Sequence, residues 1–191
     1  MESTVSEAEA VRAARAGDAA AYSVLVGLYQ EVAFRAAYLI VRDAGAAEDV
    51  VQEGFVRAYR ELGRFREGEP FRPWLLRIVS NLALNEVRSR GRKLGLLQRV
   101  GALRRETETQ PADAPLVENE QARSVWAAIN RLGEDDRLVL YLRYFLELDE
   151  REMATVLGRP AGTVKSRLHR ASMRLRSVIE REFPELREND G

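Results

Sequence analysis

The chain of 191 residues has no cysteine and a single histidine, His169. Without cysteine it forms no disulfide and offers no thiolate as a metal ligand or nucleophile, and one histidine is too few for a histidine metal cluster. No run of apolar residues approaches the roughly 20 that a membrane-spanning helix needs, and the acidic first ten residues are unlike a signal peptide. We therefore expect a soluble, cytoplasmic protein that needs no cofactor and does not insert into a membrane.

The formal net charge is zero, with 30 basic and 30 acidic residues, but the two signs are segregated along the chain. Residues 88–105 contain seven basic residues and no acidic one, whereas residues 106–120 contain five acidic residues and no basic one. Overall neutrality therefore hides local basic surfaces of the kind that suit nucleic acid. The segregation also favours two small domains over one.

Apolar residues recur at intervals of three and four along most of the chain, and not at intervals of two, which predicts an all-α fold. The stretch ETETQPADAP has the composition of a solvated linker. We expect two small helical domains, residues 1–91 and 116–184, joined by a flexible linker over residues 92–115. The expected helices lie at about residues 5–16, 19–42 with Asp18 as its cap, 46–62, 71–90 with Pro73 in its first turn, 116–132 and 134–146, and a helix–turn–helix follows at residues 149–176.

The most informative stretch is residues 149–176, which predicts a helix, a tight turn and a second helix. The segment from Gly158 to Gly162 contains helix breakers, and Thr163 is placed to cap the second helix. That helix has one apolar face at helical spacing, which would face a core. Residues 159–176 hold six basic residues and no acidic one, which suits a surface that lies against DNA phosphates. The polar face of the second helix carries Lys165, Ser166, His169 and Arg170.

A helix–turn–helix is the pattern of a DNA-reading motif, because its second helix fits the major groove. Many soluble helices are basic on one side, however, and helix–turn–helix folds also occur in proteins that bind only protein. The local pattern by itself leaves both interpretations open.

Three sequence blocks in order resemble the extracytoplasmic-function (ECF) sigma factors of bacterial RNA polymerase, within the sigma-70 superfamily. The blocks are AEDVVQEGFVRAYREL at 47–62, FRPWLLRIVSNLALNEVRSRGRK at 71–93 and REMATVLGRPAGTVKSRLHRA at 151–171. The resemblance implies a region 2-like helical bundle, followed by a region 4-like helix–turn–helix. It implies a non-catalytic initiation subunit that binds core polymerase, recognises the −35 and −10 promoter elements and melts the −10 region.

The same resemblance assigns partners. Asp49, Gln52 and Glu53 match positions that dock on the clamp helices of the largest polymerase subunit, and the C-terminal domain would contact the flap region. At spacings of three and four these three residues share one helical face. A solvated polar face is the alternative interpretation. An anti-sigma factor is a further expected partner, since members of the family are commonly held inactive by one.

By resemblance, the second block opens the promoter. The loop from Gly63 to Pro70 would hold a flipped base of the non-template strand. Aromatic faces for stacking and a basic groove are what single-stranded DNA needs. For Phe71 and Trp74 a role in core packing competes evenly with a role at the DNA. The expected −10 contacts are Phe65, Phe71, Trp74, Asn81, Asn85 and Arg88.

In the third block the resemblance assigns the −35 element. The base-reading residues would be Lys165, Ser166, His169 and Arg170, and the phosphate-binding residues would be Arg159, Thr163 and Arg167. Residues 91–115 would thread toward the active-site cleft and RNA exit channel of the polymerase, or would act only as a flexible tether.

Two other functions compete with this interpretation. A helix–turn–helix transcriptional activator would bind duplex DNA without polymerase, but it leaves the first two blocks unexplained. An enzyme would need a nucleotide loop, a metal cluster or an activated nucleophile, and the sequence contains none of these patterns.

Overall fold

The structure, a computed structural model, describes residues 6–66, 68–99 and 120–187. The chain divides into two compact units, Met1–Ala112 and Asp113–Gly191. Every regular element in the described ranges is helical, which confirms the predicted all-α fold. Glu67 of the expected base-holding loop and residues 100–115 of the expected linker lie outside the described residues.

Unit 1 is built around a long central helix that packs on three others. Side-chain caps start the first three helices: Ser6, Asp18 and Asp43 each accept a backbone N–H of the first turn, which satisfies a donor that has no partner within the helix. Asp18 thus caps its helix as predicted. The elements are α1 (Glu7–Arg15), α2 (Ala19–Val41), α3 (Ala44–Glu61), a 3-10 turn (Leu62–Arg64) and α4 (Phe71–Arg99).

The central helix α2 is long and apolar enough to cross a membrane by length and composition, with 23 residues and a mean hydropathy of 1.5 over its best window. Gln30, Glu31 and Arg35 interrupt α2, so the expectation that no uninterrupted apolar run approaches this length holds, although the helix as a whole is apolar on average. Its side chains Leu25, Ala33 and Ala37 are buried, and the helix packs against α1, α3 and α4. Packing at the centre of the helical bundle accounts for this buried part of its apolar surface, whereas Val24 and Leu28 of the same helix are exposed.

Helix α4 extends further than its sequence suggests. We expected an end near Arg90 and a linker from residue 92, but the helix continues to Arg99. The continuation contains two glycines, Gly91 and Gly95, and each costs a helix only about 1 kcal/mol relative to alanine. The first part of the expected linker is therefore a continuation of α4. Pro73 lies in its first turn, as predicted, where a missing N–H costs nothing.

Unit 2 contains the predicted helix–turn–helix. Asp149 and Glu152 form a capping box at the start of its first helix, and Gly158 ends that helix with a left-handed backbone at φ +61°. The elements are α5 (Glu120–Asn130), α6 (Glu134–Leu140) continued by a π turn (Tyr141–Phe145), α7 (Glu150–Leu157), α8 (Ala161–Glu182) and a 3-10 turn (Pro184–Arg187).

The expected cap of α8 is wrong. The helix starts at Ala161 directly after Pro160, and Thr163 is its third residue. The backbone N–H of Thr163 donates to the Pro160 carbonyl at 2.9 Å, and no side chain caps the helix. The fixed φ of proline prepares the chain for a helix without any side-chain acceptor. The Thr163 side chain is exposed at the surface of α8.

Candidate nucleic-acid and protein interfaces

One face of α8 is exposed at the surface of unit 2. Val164 and Ala171 are buried on the opposite face against α6 and α7, and this burial holds the helix in a defined orientation. The hydroxyl of Ser166 donates to the Gly162 carbonyl at 2.9 Å, which leaves its oxygen free to accept a hydrogen bond. We call this surface the recognition face; its exposed residues are Lys165, Ser166, His169 and Arg170.

Internal ion pairs divide the basic residues of unit 2 into two groups. Arg167 lies 3.5 Å from Asp135, Arg176 lies 2.9 Å from Glu180, and Arg174 pairs with Asp136. Among the described residues, the ion pairs of α8 involve none of the basic residues of the recognition face. Protein carboxylates therefore already neutralise one group, whereas the recognition face keeps its positive charge for an outside partner.

The predicted phosphate contacts Arg159, Thr163 and Arg167 differ in accessibility. Arg159 and Thr163 are exposed at the turn and the first turn of α8. The Arg167 side chain is only 31 % exposed and lies against Asp135 of α6. A phosphate would have to compete with that carboxylate for the guanidinium, so Arg167 is the least available of the three.

A groove of about 490 Å³ runs along α4 in unit 1. In order along the helix, its lining includes the ring of Trp74, the amides of Asn81 and Asn85 and the guanidinium of Arg88. At the rise of an α-helix, about 1.5 Å per residue, Trp74 and Arg88 are separated by about 21 Å along the helix axis. Asn81, Asn85 and Arg88 are exposed, so these amides are not core residues. We call it the α4 groove; it is lined by Arg57, Glu61, Trp74, Arg77, Ile78, Asn81, Leu84, Asn85 and Arg88.

Two of the predicted −10 residues, Phe65 and Phe71, are core residues instead. Phe71 has no exposed surface and Phe65 is 4 % exposed. Their rings pack at a centroid distance of 5.8 Å, and both contact the ring of Trp74. A buried ring cannot offer its face to a base, so the expectation that these two side chains line the path of the DNA strand is wrong. Instead, the rings of Phe65 and Phe71 pack against the Trp74 ring from the core.

Trp74 combines the two roles that its sequence left open. Its centroid is 5.1 Å from that of Phe65 and 5.5 Å from that of Phe71, yet the residue is only half-buried and borders the α4 groove. One side of the indole therefore packs on the core while another is open to the groove. A ring held in this way loses little conformational entropy when a base stacks on it.

The groove contains functional candidates that the sequence analysis missed. Arg77 lies three residues after Trp74 and four before Asn81, so helical spacing could have found it. Arg57 comes from α3 and pairs with Glu61 at 3.0 Å on the groove wall. No local pattern connects α3 to α4, and only the packing of the two helices brings Arg57 to this site.

The predicted docking residues Asp49, Gln52 and Glu53 are all exposed on α3. On the opposite face of α3, Ala47, Val50 and other apolar residues are buried against the rest of unit 1. The structure thus presents the three polar side chains together on one accessible helical face.

Beside Gln52 a shallow, largely apolar groove of about 720 Å³ opens between α2 and α3. Val56 and Tyr59 are 40 % and 43 % exposed there, and a patch of this kind is typical of a protein-binding surface. The Tyr22 hydroxyl in its floor donates to the Phe55 carbonyl at 2.6 Å. Burial raises the pKa of Tyr22 to about 12, so this donor stays protonated well into the alkaline range. We call this surface the α2–α3 groove.

Within the described residues no cluster of three or more acidic or histidine side chains could hold a metal ion. The arrangement in the described ranges is one of binding surfaces: a cationic helical face in unit 2, and in unit 1 a mixed aromatic and polar groove and a polar helical face beside an apolar groove.

Comparisons with known proteins cover nearly the whole chain. Residues 25–93 match the family model described as Sigma-70 region 2, and residues 122–175 match that described as Sigma-70, region 4. The RNA polymerase sigma-H factor of Pseudomonas aeruginosa is 35% identical over 182 residues, which are 90% of this chain and 91% of that protein.

Two further relatives extend the comparison. The ECF RNA polymerase sigma factor SigW of Bacillus subtilis is 30% identical over 177 residues, 88% of this chain and 94% of that protein. Among solved structures, CnrH in complex with the cytosolic domain of CnrY has a TM-score of 0.67 and 25% identity, and the match covers 92% of this chain and 98% of that one.

Proposed function

The chain belongs to the ECF sigma factors of the sigma-70 family, and from this premise we propose how its surfaces divide the work of starting transcription. It is an alternative sigma factor of RNA polymerase: it binds core polymerase, recognises the −35 and −10 promoter elements, melts the −10 region and directs initiation. A duplex-binding activator would use only a unit like unit 2, and the match of residues 25–93 to region 2 favours the sigma factor.

The observation that carries the assignment of surfaces is the α4 groove. Trp74 offers a stacking surface, Asn81 and Asn85 offer amide donors and acceptors, and Arg88 offers a cation at the far end. Stacking of a base on an aromatic side chain contributes about 1–3 kcal/mol. Captured bases would therefore offset the cost of unstacking a short duplex segment, which is a few kcal/mol. We assign the non-template strand of the −10 element to this groove.

The recognition face of α8 would read the −35 element. Lys165 and Arg170 would donate to guanine edges in the major groove, since a good bidentate contact discriminates between bases by about 1–3 kcal/mol. Ser166 and His169 would complete the base contacts. Arg159, Thr163 and, after release from Asp135, Arg167 would bind phosphates and set the register without reading sequence.

Core polymerase would dock on the polar face of α3 through Asp49, Gln52 and Glu53. Rim charges of this kind act mainly on association rate and specificity. The C-terminal unit would make the second contact with polymerase, at the flap. The linker would join the two DNA-binding units, and tethering two weak binders raises the effective concentration of the second once the first is bound.

In this function the chain itself catalyses nothing, and bond formation belongs to the polymerase. The protein acts in the cytoplasm, where polymerase and promoters are. We also propose that an anti-sigma factor holds it inactive, as membership of this family implies; the similar protein CnrH has likewise been solved in complex with another protein, the cytosolic domain of CnrY. The exposed side chains of Val56 and Tyr59 in the α2–α3 groove supply an apolar surface for such a partner. Tyr59→Arg should then weaken that complex by about tenfold or more, the order expected for the loss of one aromatic anchor at a protein interface.

The deciding experiment is run-off transcription with purified bacterial core polymerase on the DNA upstream of the protein's own gene. We expect promoter-specific transcripts that require the protein. Duplex binding without polymerase at nanomolar strength, together with no transcript and no binding to core, would contradict the sigma function and support the activator.

Matched variants test the individual surfaces. Arg170→Ala should reduce transcription from the native promoter and remove its sensitivity to −35 base changes, whereas Arg176→Ala, an exposed arginine of the same helix that is paired with Glu180, should retain that sensitivity. Equal loss on native and −35-mutated promoters would exclude base reading by Arg170.

The docking face has its own pair of variants. Asp49→Ala should slow binding to core polymerase, whereas Glu48→Ala, exposed on the adjacent position of α3, should do so much less. The two substitutions remove the same charge from the same helix, so a difference between them reports position. Equal effects would indicate that only net charge matters.

A further inference from the structure

Glu7 joins the N-terminal helix to the start of α4. One carboxylate oxygen, Oε1, accepts the Phe71 N–H at 3.1 Å, and the other, Oε2, accepts the Tyr29 hydroxyl. These partners lie 64 and 22 residues away along the chain. A single side chain of α1 therefore connects α1, α2 and α4.

The residue that precedes α4 offers it no capping side chain. This residue is Pro70, whose ring contains no hydrogen-bond acceptor, whereas the first N–H groups of a helix have no partner within it. Glu7 supplies the missing acceptor from a distant part of the chain. A negative charge at this point is also favoured by the positive end of the helix dipole. Glu7 is thus an N-cap provided by another helix.

By accepting the Phe71 N–H, Glu7 fixes the residue that supports the α4 groove. Phe71 contacts the rings of Tyr29, Phe65 and Trp74 at centroid distances of 5.6, 5.8 and 5.5 Å. Trp74 forms the aromatic end of the groove. Movement of the Phe71 backbone would therefore move the surface on which a base would stack.

The same anchor delimits the loop before α4. Gly68 has a left-handed backbone at φ +88°, and the Glu69 N–H donates to the Arg66 carbonyl at 3.2 Å. The loop begins after the 3-10 turn at Arg64 and ends at the capped N–H of Phe71. Its downstream end is thus held by α1.

We propose that Glu7 is a positioning residue for promoter opening, which holds the first turn of α4, the Trp74 ring and the downstream end of the loop in the arrangement that captures the unpaired −10 strand, without touching DNA itself. The proposal rests on the assignment of the −10 strand to the α4 groove. It gives the N-terminal helix, which precedes the region matched by the family model, a part in melting the promoter.

The helix offers a close control. Glu9 is two residues further along α1, exposed, and bonds only to Ser6 in the capping box of its own helix among its described hydrogen bonds. Glu7→Ala and Glu9→Ala remove the same charge from the same first turn. Only the former removes the link to α4. Glu7→Gln is the conservative variant, because an amide can accept from Phe71 and remain hydrogen-bonded to Tyr29.

The test measures three steps with holoenzyme reconstituted from core polymerase and full-length protein: binding to core, binding of a −35 duplex fragment, and binding of a single-stranded −10 non-template oligonucleotide. Glu7→Ala should weaken oligonucleotide binding and slow open-complex formation by about tenfold, the order expected from losing one helix cap. Core binding and −35 binding should stay within twofold, and Glu7→Gln should recover most of the loss.

The outcomes separate this proposal from the function on which it rests. If wild-type protein gives no promoter-specific transcript with core, the sigma assignment itself fails. If wild type is active and Glu7→Ala behaves like Glu9→Ala, or loses all three binding steps in equal measure, the positioning role is overturned. Acrylamide quenching of Trp74 in a Trp126→Phe background adds a structural check, since Glu7→Ala should expose the indole and Glu9→Ala should not.

Discussion

Gly54 provides a sharp test of how unit 1 is packed. It lies in α3 and faces α4, and a Cβ added there would be 2.9 Å from the Val79 Cγ2 and 3.9 Å from the Leu82 Cδ1. Val79 has no exposed surface, and a valine in a helix has one strongly preferred χ1 rotamer. The methyl group therefore has little room to move away.

The expected effect of Gly54→Ala is the difference of two opposing contributions. Replacing glycine by alanine in a helix stabilises it by about 1 kcal/mol. Overpacking of a well-filled core costs about 1–3 kcal/mol, and the constrained valine places this site in the upper part of that range. We expect a net loss of about 1–2 kcal/mol in the free energy of unfolding of unit 1, or a Tm lower by about 5–15 °C.

Gly27→Ala is the matched control. Gly27 lies in the exposed middle of α2, and a Cβ there would meet nothing within 4 Å. The same substitution should therefore stabilise unit 1 by about 1 kcal/mol. Urea unfolding followed by Trp74 fluorescence in a Trp126→Phe background isolates unit 1, since these are the two tryptophans of the chain.

A double-mutant cycle locates the clash. In the Gly54→Ala background, Val79→Ala should cost about 1–2 kcal/mol less than it does alone, because the new Cβ occupies space that the valine methyl vacates. If Gly54→Ala proves as stabilising as Gly27→Ala, or if the two sites show no coupling, the close approach of α3 and α4 at this point is refuted.

Three further predictions concern stability. Because the pKa of Tyr22 is raised from 10.0 to about 12, the stability contributed by its protonated hydroxyl is complete below pH 10 and is lost between about pH 10 and pH 12. Tyr22→Phe should cost about 1 kcal/mol at pH 7 and flatten that alkaline decline in urea-unfolding midpoints; an unchanged decline would exclude Tyr22 as a source. Arg174→Ala removes the ion-pair partner of the Asp136 carboxylate, which is only 9 % exposed. It should lower the free energy of unfolding of unit 2 by about 1–2 kcal/mol, a value reduced because the arginine is largely exposed. Calorimetry that shows no change would mean that water replaces the arginine as the partner of Asp136. Gly158→Ala forces a left-handed alanine at the helix–turn–helix turn and should cost unit 2 about 1 kcal/mol, whereas a stabilised thermal transition would show that the turn has relaxed.

The sequence predicted the sites best where a helix carries its function on one face. On α8 the spacing of apolar residues determines which side is buried, so the exposure of Lys165, Ser166, His169 and Arg170 followed from the pattern. Asn81 and Asn85, which the resemblance assigns to the −10 element, are also exposed on α4. The prediction was weaker for the aromatic residues, because a pattern cannot distinguish a ring packed in a core from a ring that borders a groove.

The start of α8 and the end of α4 were mispredicted for local reasons. Thr163 is a good capping residue by type, but Pro160 three positions earlier already sets the backbone for a helix. Gly91 is a weak helix former, but its cost is small within a helix of 29 residues. Propensity is a preference of a single residue, and the neighbouring residues outweighed it in both places.

By itself the sequence determined the all-α character, the helix–turn–helix, the segregation of charge and the polar face of α3, because each depends on spacing along one helix or on composition. Tertiary structure alone decided which side chains meet across helices. The burial of Phe65 and Phe71, the presence of Arg57 beside Trp74, and the cap that Glu7 supplies 64 residues away all arise where separate helices pack together. Helical periodicity specifies the direction of a side chain and not its partner, and the partner determines whether that side chain supports a site or forms it.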